Sequence, residues 1–174
     1  LRAVTTAILK RVQVRTQWVW CGPEHLDRQP ALCAAGPVRG RVVLYVVRSS
    51  LKMNAGGRLP LGRAEIGTGR AFLHFQQVQY VAARNDLSLG NLLAHVAAHE
   101  IGHLYMGGAH ARYGLMRARW SKPDYRAMTR EELWFLPAEA EVLRVALAGL
   151  ALRRGTGTFA VQPLEERSEV SQSH

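Results

Sequence analysis

The stretch that decides the fold is His99-Glu100-Ile101-Gly102-His103-Leu104-Tyr105-Met106-Gly107-Gly108-Ala109-His110. Its first two histidines are four residues apart, so on a helix they project from the same face, one turn apart. Both imidazoles can then reach one metal ion, and the glutamate beside the first can accept a proton from water. This H-E-x-x-H spacing is typical of zinc hydrolases.

A third histidine, His110, follows the motif just past two glycines. Three neutral histidines leave one tetrahedral position of zinc open, which is the pattern of a catalytic site. The alternative third ligand is a carboxylate on a later helix, for which Glu131 and Glu132 are candidates. We favour His110, because acids at these two positions also suit an ordinary helix start.

The predicted cofactor is therefore Zn²⁺, held by His99, His103 and His110. Zinc can lower the pKa of its water to about 7. Glu100 is the predicted general base, taking the proton during attack on a carbonyl and passing it to the leaving amine. His95 lies one turn earlier, but one straight helix cannot easily direct three successive turns at one ion, so we predict that it packs.

Composition limits the other function classes. The 174 residues suit one domain, and no apolar run is long enough to cross a bilayer. The formal charge of +10 arises from 23 basic and 13 acidic residues. The basic residues are scattered rather than clustered among aromatics, so no specific nucleic-acid partner is predicted. Attraction to acidic substrates or anionic cell envelopes remains open.

The two cysteines, Cys21 and Cys33, do not form a Cys-x-x-Cys pair, which argues against a cysteine-based zinc site. Their separation suits a disulfide that closes a loop rich in proline and glycine, if the chain is exported. The alternative is a pair of inert buried thiols in a cytosolic protein.

Hydrophobic periodicity predicts the first elements. Residues 1–11 recur at helical spacing, and residues 12–20 alternate as in a half-buried strand. Residues 41–48 are a near-continuous apolar run, which predicts a central strand covered on both faces. Loops are predicted for residues 21–40 and 49–60.

A short strand is predicted over residues 61–66, where glycine and arginine favour the edge of a sheet. A returning strand over residues 70–75 leads into a helix. Asp86 or Ser88 is the predicted N-cap of the helix that carries the metal motif, and Gly107 is its predicted end.

The C-terminal part is predicted to be helical and then irregular. Thr129 is the predicted cap of one helix, and Pro137 opens another that reaches about residue 154. Residues 155–174 are polar and are predicted to be a disordered tail. The predicted domain therefore spans residues 1–154.

The sequence resembles the metzincin clan of zinc peptidases, whose pattern is H-E-x-x-H-x-x-G-x-x-H followed by a Met-turn. It is most similar to exported bacterial zincin-like, matrixin-like proteins. The likeness lies in residues 98–104, in the histidine after a short variable loop, and in Gly-Leu-Met-Arg-Ala-Arg-Trp at residues 114–120. A weaker likeness extends from the first helix to the C-terminal helices and includes residues 18–21 and Cys33.

The resemblance implies zinc at the three histidines and a Met-turn at Met116 beneath the metal. It implies that the strand Leu61-Gly62-Arg63-Ala64 holds an extended peptide by backbone pairing, which needs an unpaired sheet edge. It also implies secretion or a periplasmic location, although no signal peptide is visible ahead of Leu1.

Two departures from the clan pattern are evident. Met106 occupies the place of the clan's glycine and His110 falls one residue late, as after a one-residue insertion. The clan's first strand should precede the opening helix, and that strand is missing from the prediction.

The expectation is a single α+β zincin-like domain: a small twisted mixed sheet, an active-site helix and C-terminal helices. The predicted function is that of a zinc metalloendopeptidase acting on a peptide or protein. The alternatives are a catalytically inactive zinc-binding or interaction module derived from a metallopeptidase, and a basic nucleic-acid-binding protein with incidental histidines.

Overall fold

The structure is a computed structural model, and it describes residues 1–22, 31, 33, 36, 41–48, 60–151 and 158–162. It is a small α+β fold. The helices are α1 (Arg2–Arg11), α2 (Phe75–Arg84), α3 (Leu89–Met106), α4 (Lys122–Thr129) and α5 (Pro137–Ala151). The strands are β1 (Gln17–Trp20), β2 (Arg41–Val47), β3 (Gly62–Glu65), β4 (Arg70–His74) and β5 (Thr158–Gln162). In the described part of the chain, no helix is long and apolar enough for a membrane span.

The strands form one five-stranded sheet in the order β1-β5-β2-β4-β3. Its neighbours are parallel except for β3, which runs antiparallel to β4. The predicted central strand is confirmed, because β2 pairs on both sides and Val42, Val43 and Leu44 are buried. The predicted edge strand is also confirmed, since β3 ends the order and pairs with β4 alone among the described strands.

The prediction of a disordered tail over residues 155–174 is wrong for residues 158–162, which form β5. This strand pairs with β1 on one side and β2 on the other. Threonine, phenylalanine and valine favour a pleated strand, but five residues are too few for periodicity to distinguish them from a loop. The domain therefore extends past residue 154, and β5 lies between β1 and β2. The rest of the predicted tail lies outside the described residues.

The first predicted strand is shorter than residues 12–20. Val12 and Val14 are buried, but they lie in a turn in which Gln13 has φ 62°. Within β1 the buried residue is Val19, whereas Trp20 is 38% exposed. The two buried valines after α1 therefore extended the alternation of apolar residues beyond the strand itself. The loops predicted for residues 21–40 and 49–60 lie mostly outside the described residues.

The prediction that Thr129 caps a helix is wrong, because Thr129 ends α4. Helix α4 itself begins at a capping box, in which the Asp124 carboxylate accepts hydrogen bonds from the Ser121 backbone N–H and hydroxyl at 2.6 and 2.7 Å. Glu131 follows with φ 57°, a turn conformation. The helix predicted to open at Pro137 is confirmed.

The helix α3 crosses the core and carries the metal motif. It packs against α1, α2, α4, α5, β3 and β4. Ser88, one of the two predicted caps, accepts a hydrogen bond from the Asn91 backbone at 3.4 Å. Gly107 follows the helix with φ 87°, a conformation that glycine adopts without strain. Because most of α3 is buried, its residues are held at fixed positions beside the sheet.

Cys21 and Cys33 are joined in a disulfide, which confirms the predicted pairing. Both are buried beside Val19 and Val43 in a small second cluster. Closing a loop of this size contributes about 3 kcal/mol in the chain-entropy account.

Candidate metal centre

Three histidine side chains converge on one point at the surface of α3. His99 and His103 lie one helical turn apart, with their Nε2 atoms 3.0 Å from each other. The turn after the helix returns the chain so that His110 Nε2 lies 3.1 Å from His103 Nε2. The ligand atoms of the three residues all lie within 4.8 Å of one another. This group can hold a metal ion.

Backbone carbonyls fix the orientation of two of these rings. His99 Nδ1 lies 2.8 Å from the Leu115 carbonyl oxygen, and His103 Nδ1 lies 2.8 Å from the Gly107 carbonyl oxygen. Because a carbonyl only accepts hydrogen bonds, each Nδ1–H must donate, which leaves the Nε2 lone pair directed at the common point. Converging lone pairs repel one another unless a cation lies between them. The donor set therefore fits a metal ion.

Two of the three histidines, His99 and His110, have lowered pKa values, which favours their neutral, ligating form. Burial lowers the pKa of His99 to about 4; the Leu115 hydrogen bond opposes this, and the neighbouring His103 and His110 add to it. Burial, followed by the charge of His103, lowers the pKa of His110. His110 is the exposed member of the group, while the other two are buried.

The extra residue in the turn does not remove His110 from the group. Met106 is the last residue of α3, and the turn at Gly107 accommodates the insertion before His110. In the region the structure describes, neither Glu131 nor Glu132 belongs to the group.

Glu100 lies beside the triad and against the edge strand. It is 5% exposed, and its carboxylate accepts a hydrogen bond from the Ala64 backbone N–H. A Cβ added to Gly62 would lie 2.6 Å from Glu100 Oε1, so only glycine allows the carboxylate this close to β3. Burial raises the pKa of Glu100 to about 8, although the Ala64 hydrogen bond opposes the rise. The sequence did not indicate this role for Gly62.

Met116 lies in a tight turn packed under α3. It is 2% exposed, and its backbone carbonyl accepts a hydrogen bond from Ala111 N at 2.9 Å. A Cβ added to Gly102 would lie 2.5 Å from Met116 Sδ, so this glycine lets the methionine pack against the helix between the two histidine turns. Met116 is therefore buried against the turn of α3 that lies between His99 and His103.

Trp120 is a site residue whose role the spacing arguments missed. Its Nε1 donates to the Leu115 carbonyl at 3.2 Å, the same oxygen that orients His99. Its ring meets the His99 ring edge-on, with centroids 5.5 Å apart. The sequence feature that could have indicated this role is that Trp120 ends residues 114–120, which resemble the metzincin pattern.

His95 does not join the metal group. It is 1% exposed, with Nδ1 2.9 Å from the Asn91 carbonyl oxygen. It lines a separate cavity of about 250 Å³ between α1 and Trp134. The prediction that His95 packs is therefore confirmed.

The triad and Glu100 open into a cleft of about 1400 Å³. The predicted substrate strand, residues 61–64, lines the same cleft. Comparison of the chain with protein-family models, with curated proteins and with solved structures found no match in any of the three.

Proposed function

We propose that this chain is a zinc-dependent metallopeptidase of the metzincin type, with a zincin-like domain. The observation that supports this most is the convergence of three histidine Nε2 atoms beside a carboxylate, in a cleft bordered by a sheet edge. His99, His103 and His110 would hold the zinc ion. Bound there, zinc would supply a Lewis acid and a water of lowered pKa.

Glu100 is the proposed general base. Its carboxylate takes a proton from the attacking water and passes it to the leaving amine. Without a nearby cation its pKa is about 8, and an opposite charge at the triad would lower that pKa and favour the ionised form. The Ala64 N–H holds the carboxylate at the wall of the cleft.

The proposed substrate is an extended peptide lying along β3. This strand pairs with β4 on one side, and residues of β3 line the cleft on the other. Addition of a peptide strand to a sheet edge provides backbone hydrogen bonds without specifying side chains. Peptide bonds placed there would run past the triad.

Secretion or a periplasmic location is part of the proposal. The Cys21–Cys33 disulfide supports it, because disulfides persist in oxidising compartments.

The second candidate function is a metal-binding interaction module without turnover. It is favoured by the packing of Glu100, which is 5% exposed and in contact with Gly62. A carboxylate fixed in that position would be too confined to shuttle a proton. This candidate predicts bound zinc with no cleavage of any peptide.

The test is cleavage of a mixed peptide library by the zinc-loaded chain, followed by mass spectrometry. The proposal expects cleavage that stops on chelation and returns with added zinc. Zinc binding without cleavage would favour the interaction module, and cleavage unaffected by chelator would contradict both candidates.

We expect Gly62→Ala to lower kcat/KM on the cleaved peptides by at least about tenfold, since a positioned base contributes about 10²–10⁴. The added methyl group would displace the Glu100 carboxylate from Ala64. Zinc content should not change, because the three atoms nearest the added methyl group all belong to Glu100 and none to a histidine. Gly149→Ala is the matched control, since a Cβ there meets no atom within 4 Å. Unchanged kcat/KM in Gly62→Ala would show that Glu100 does not act from this position.

A further inference from the structure

Apart from Glu100, the acidic and basic side chains that line the cleft among the described residues are all basic. Among the described residues that line it, Glu100 is the single acid, and it is buried. The basic side chains of the lining are Arg63, Arg84, Arg117, Arg119 and Lys122. A cleft lined by one sign of charge raises the local concentration of ligands of the opposite sign.

Two of these cations are already paired. Arg63 lies 3.0 Å from the Glu65 carboxylate. Arg117 lies 2.8 Å from the Asp124 carboxylate, which is itself held by the α4 cap. These two arginines therefore contribute little net field to the cleft.

Two of the remaining cations of the lining flank Trp120 in the sequence. Arg119 precedes it and Lys122 follows two residues later; both side chains are exposed, and both line the cleft. Within the part of the chain described, neither has an acidic partner. The Trp120 ring touches His99, and consecutive Cα atoms are about 3.8 Å apart. Both residues therefore belong to a segment that contacts the triad, and both border the cleft into which the triad opens.

A third cation stands on the α2 side of the cleft. Arg84 donates to the Tyr80 hydroxyl at 2.7 Å, and no acidic side chain of the described residues forms an ion pair with it. Positive charge is thus present on the α2 side as well as in the segment that holds Trp120.

We infer that the substrate is an acidic peptide segment, with aspartate or glutamate side chains bound by Arg119 and Lys122. This inference rests on the peptidase function proposed above. A guanidinium can bind a carboxylate through two parallel hydrogen bonds, and an ammonium adds a compact charge. Among polyanions a peptide fits best, because the same cleft offers an edge strand for backbone pairing and a general base for the peptide bond.

The experiment uses three quenched fluorescent peptide libraries that differ only in carrying Glu, Gln or Lys at fixed positions. The zinc-loaded chain should cleave the Glu library with a kcat/KM about tenfold above that of the Gln library at low salt. The Lys library should be the poorest. The preference should shrink at about 0.5 M salt, because screening shortens the reach of exposed charges.

Two pairs of charge-reversal substitutions distinguish an effect of the charges at the cleft from an effect of the net charge of the protein. Arg119→Glu combined with Lys122→Glu should remove the preference for the Glu library. The control combines Lys10→Glu with Arg15→Glu, which makes the same change in net charge at exposed positions outside the cleft lining. The control should keep the preference.

Binding of the same libraries to Glu100→Gln, measured by competition against a labelled Glu peptide, gives a readout without turnover. Cleavage of none of the libraries by the parent would overturn the peptidase proposal, while tighter binding of the Glu library would still support an acidic ligand. Equal binding of the Glu and Gln libraries, equal effects of the two charge reversals, or stronger competition by an oligonucleotide would overturn the inference.

Discussion

Glu100→Gln should lower the rate of peptide cleavage by about 10²–10⁴-fold while the protein keeps its zinc. Glutamine has nearly the same shape, and its amide oxygen can still accept the Ala64 hydrogen bond beside Gly62. It cannot take a proton from water, so the variant removes the base and leaves the packing. Glu100→Ala should show the same loss. The measurements are kcat/KM on the cleaved peptides and zinc per chain by elemental analysis.

The matched control is Glu141→Gln, which removes the same charge from an exposed ion pair with Arg144 on α5. Exposed pairs contribute little to stability, so this variant should behave as the parent does. If Glu100→Gln cleaves the library as fast as the parent, Glu100 is not the base and the mechanism is wrong.

His103→Ala should abolish zinc binding and, with it, peptide cleavage. His103 is the middle member of the triad, with its Nε2 3.0 Å from that of His99 and 3.1 Å from that of His110. Changes to residues that only orient a ligand typically cost about 10–100-fold in metal affinity, so loss of the central ligand should cost more. Competition with a chromophoric chelator gives the affinity, and circular dichroism checks that the fold persists.

His95→Gln is the control on the same helix, because His95 is a buried histidine that does not belong to the metal group. It should retain zinc with the affinity of the parent. Parent-like zinc affinity in His103→Ala, or loss of zinc in His95→Gln, would contradict the assignment of the ligands.

The parts of the fold that could be predicted from the sequence are those in which a local residue pattern is compatible with only one structure. The spacing of His99 and His103 requires a helix to bring them together, and α3 does so. The apolar run at residues 41–48 needs cover on both faces, and β2 is paired on both sides. Ser88 and Gly107 act locally, so the ends of α3 were also predictable.

The missed features depend on contacts between distant parts of the chain. The strand β5 pairs with segments more than 100 residues away in sequence, and five residues give no periodic signal. Gly62 matters only because α3 brings Glu100 against it. Trp120 matters because it shares the Leu115 carbonyl with His99. The spacing of residues along the sequence does not reveal these contacts.

The most direct test of the proposed centre is the zinc K-edge X-ray absorption spectrum of the chain loaded with one equivalent of zinc. We expect three imidazole nitrogens at about 2.0–2.1 Å and one oxygen that is not from the protein, as in an open catalytic site. In His110→Ala one imidazole should disappear from the spectrum. Four protein ligands around the zinc, or the same number of imidazoles after His110→Ala, would contradict the account.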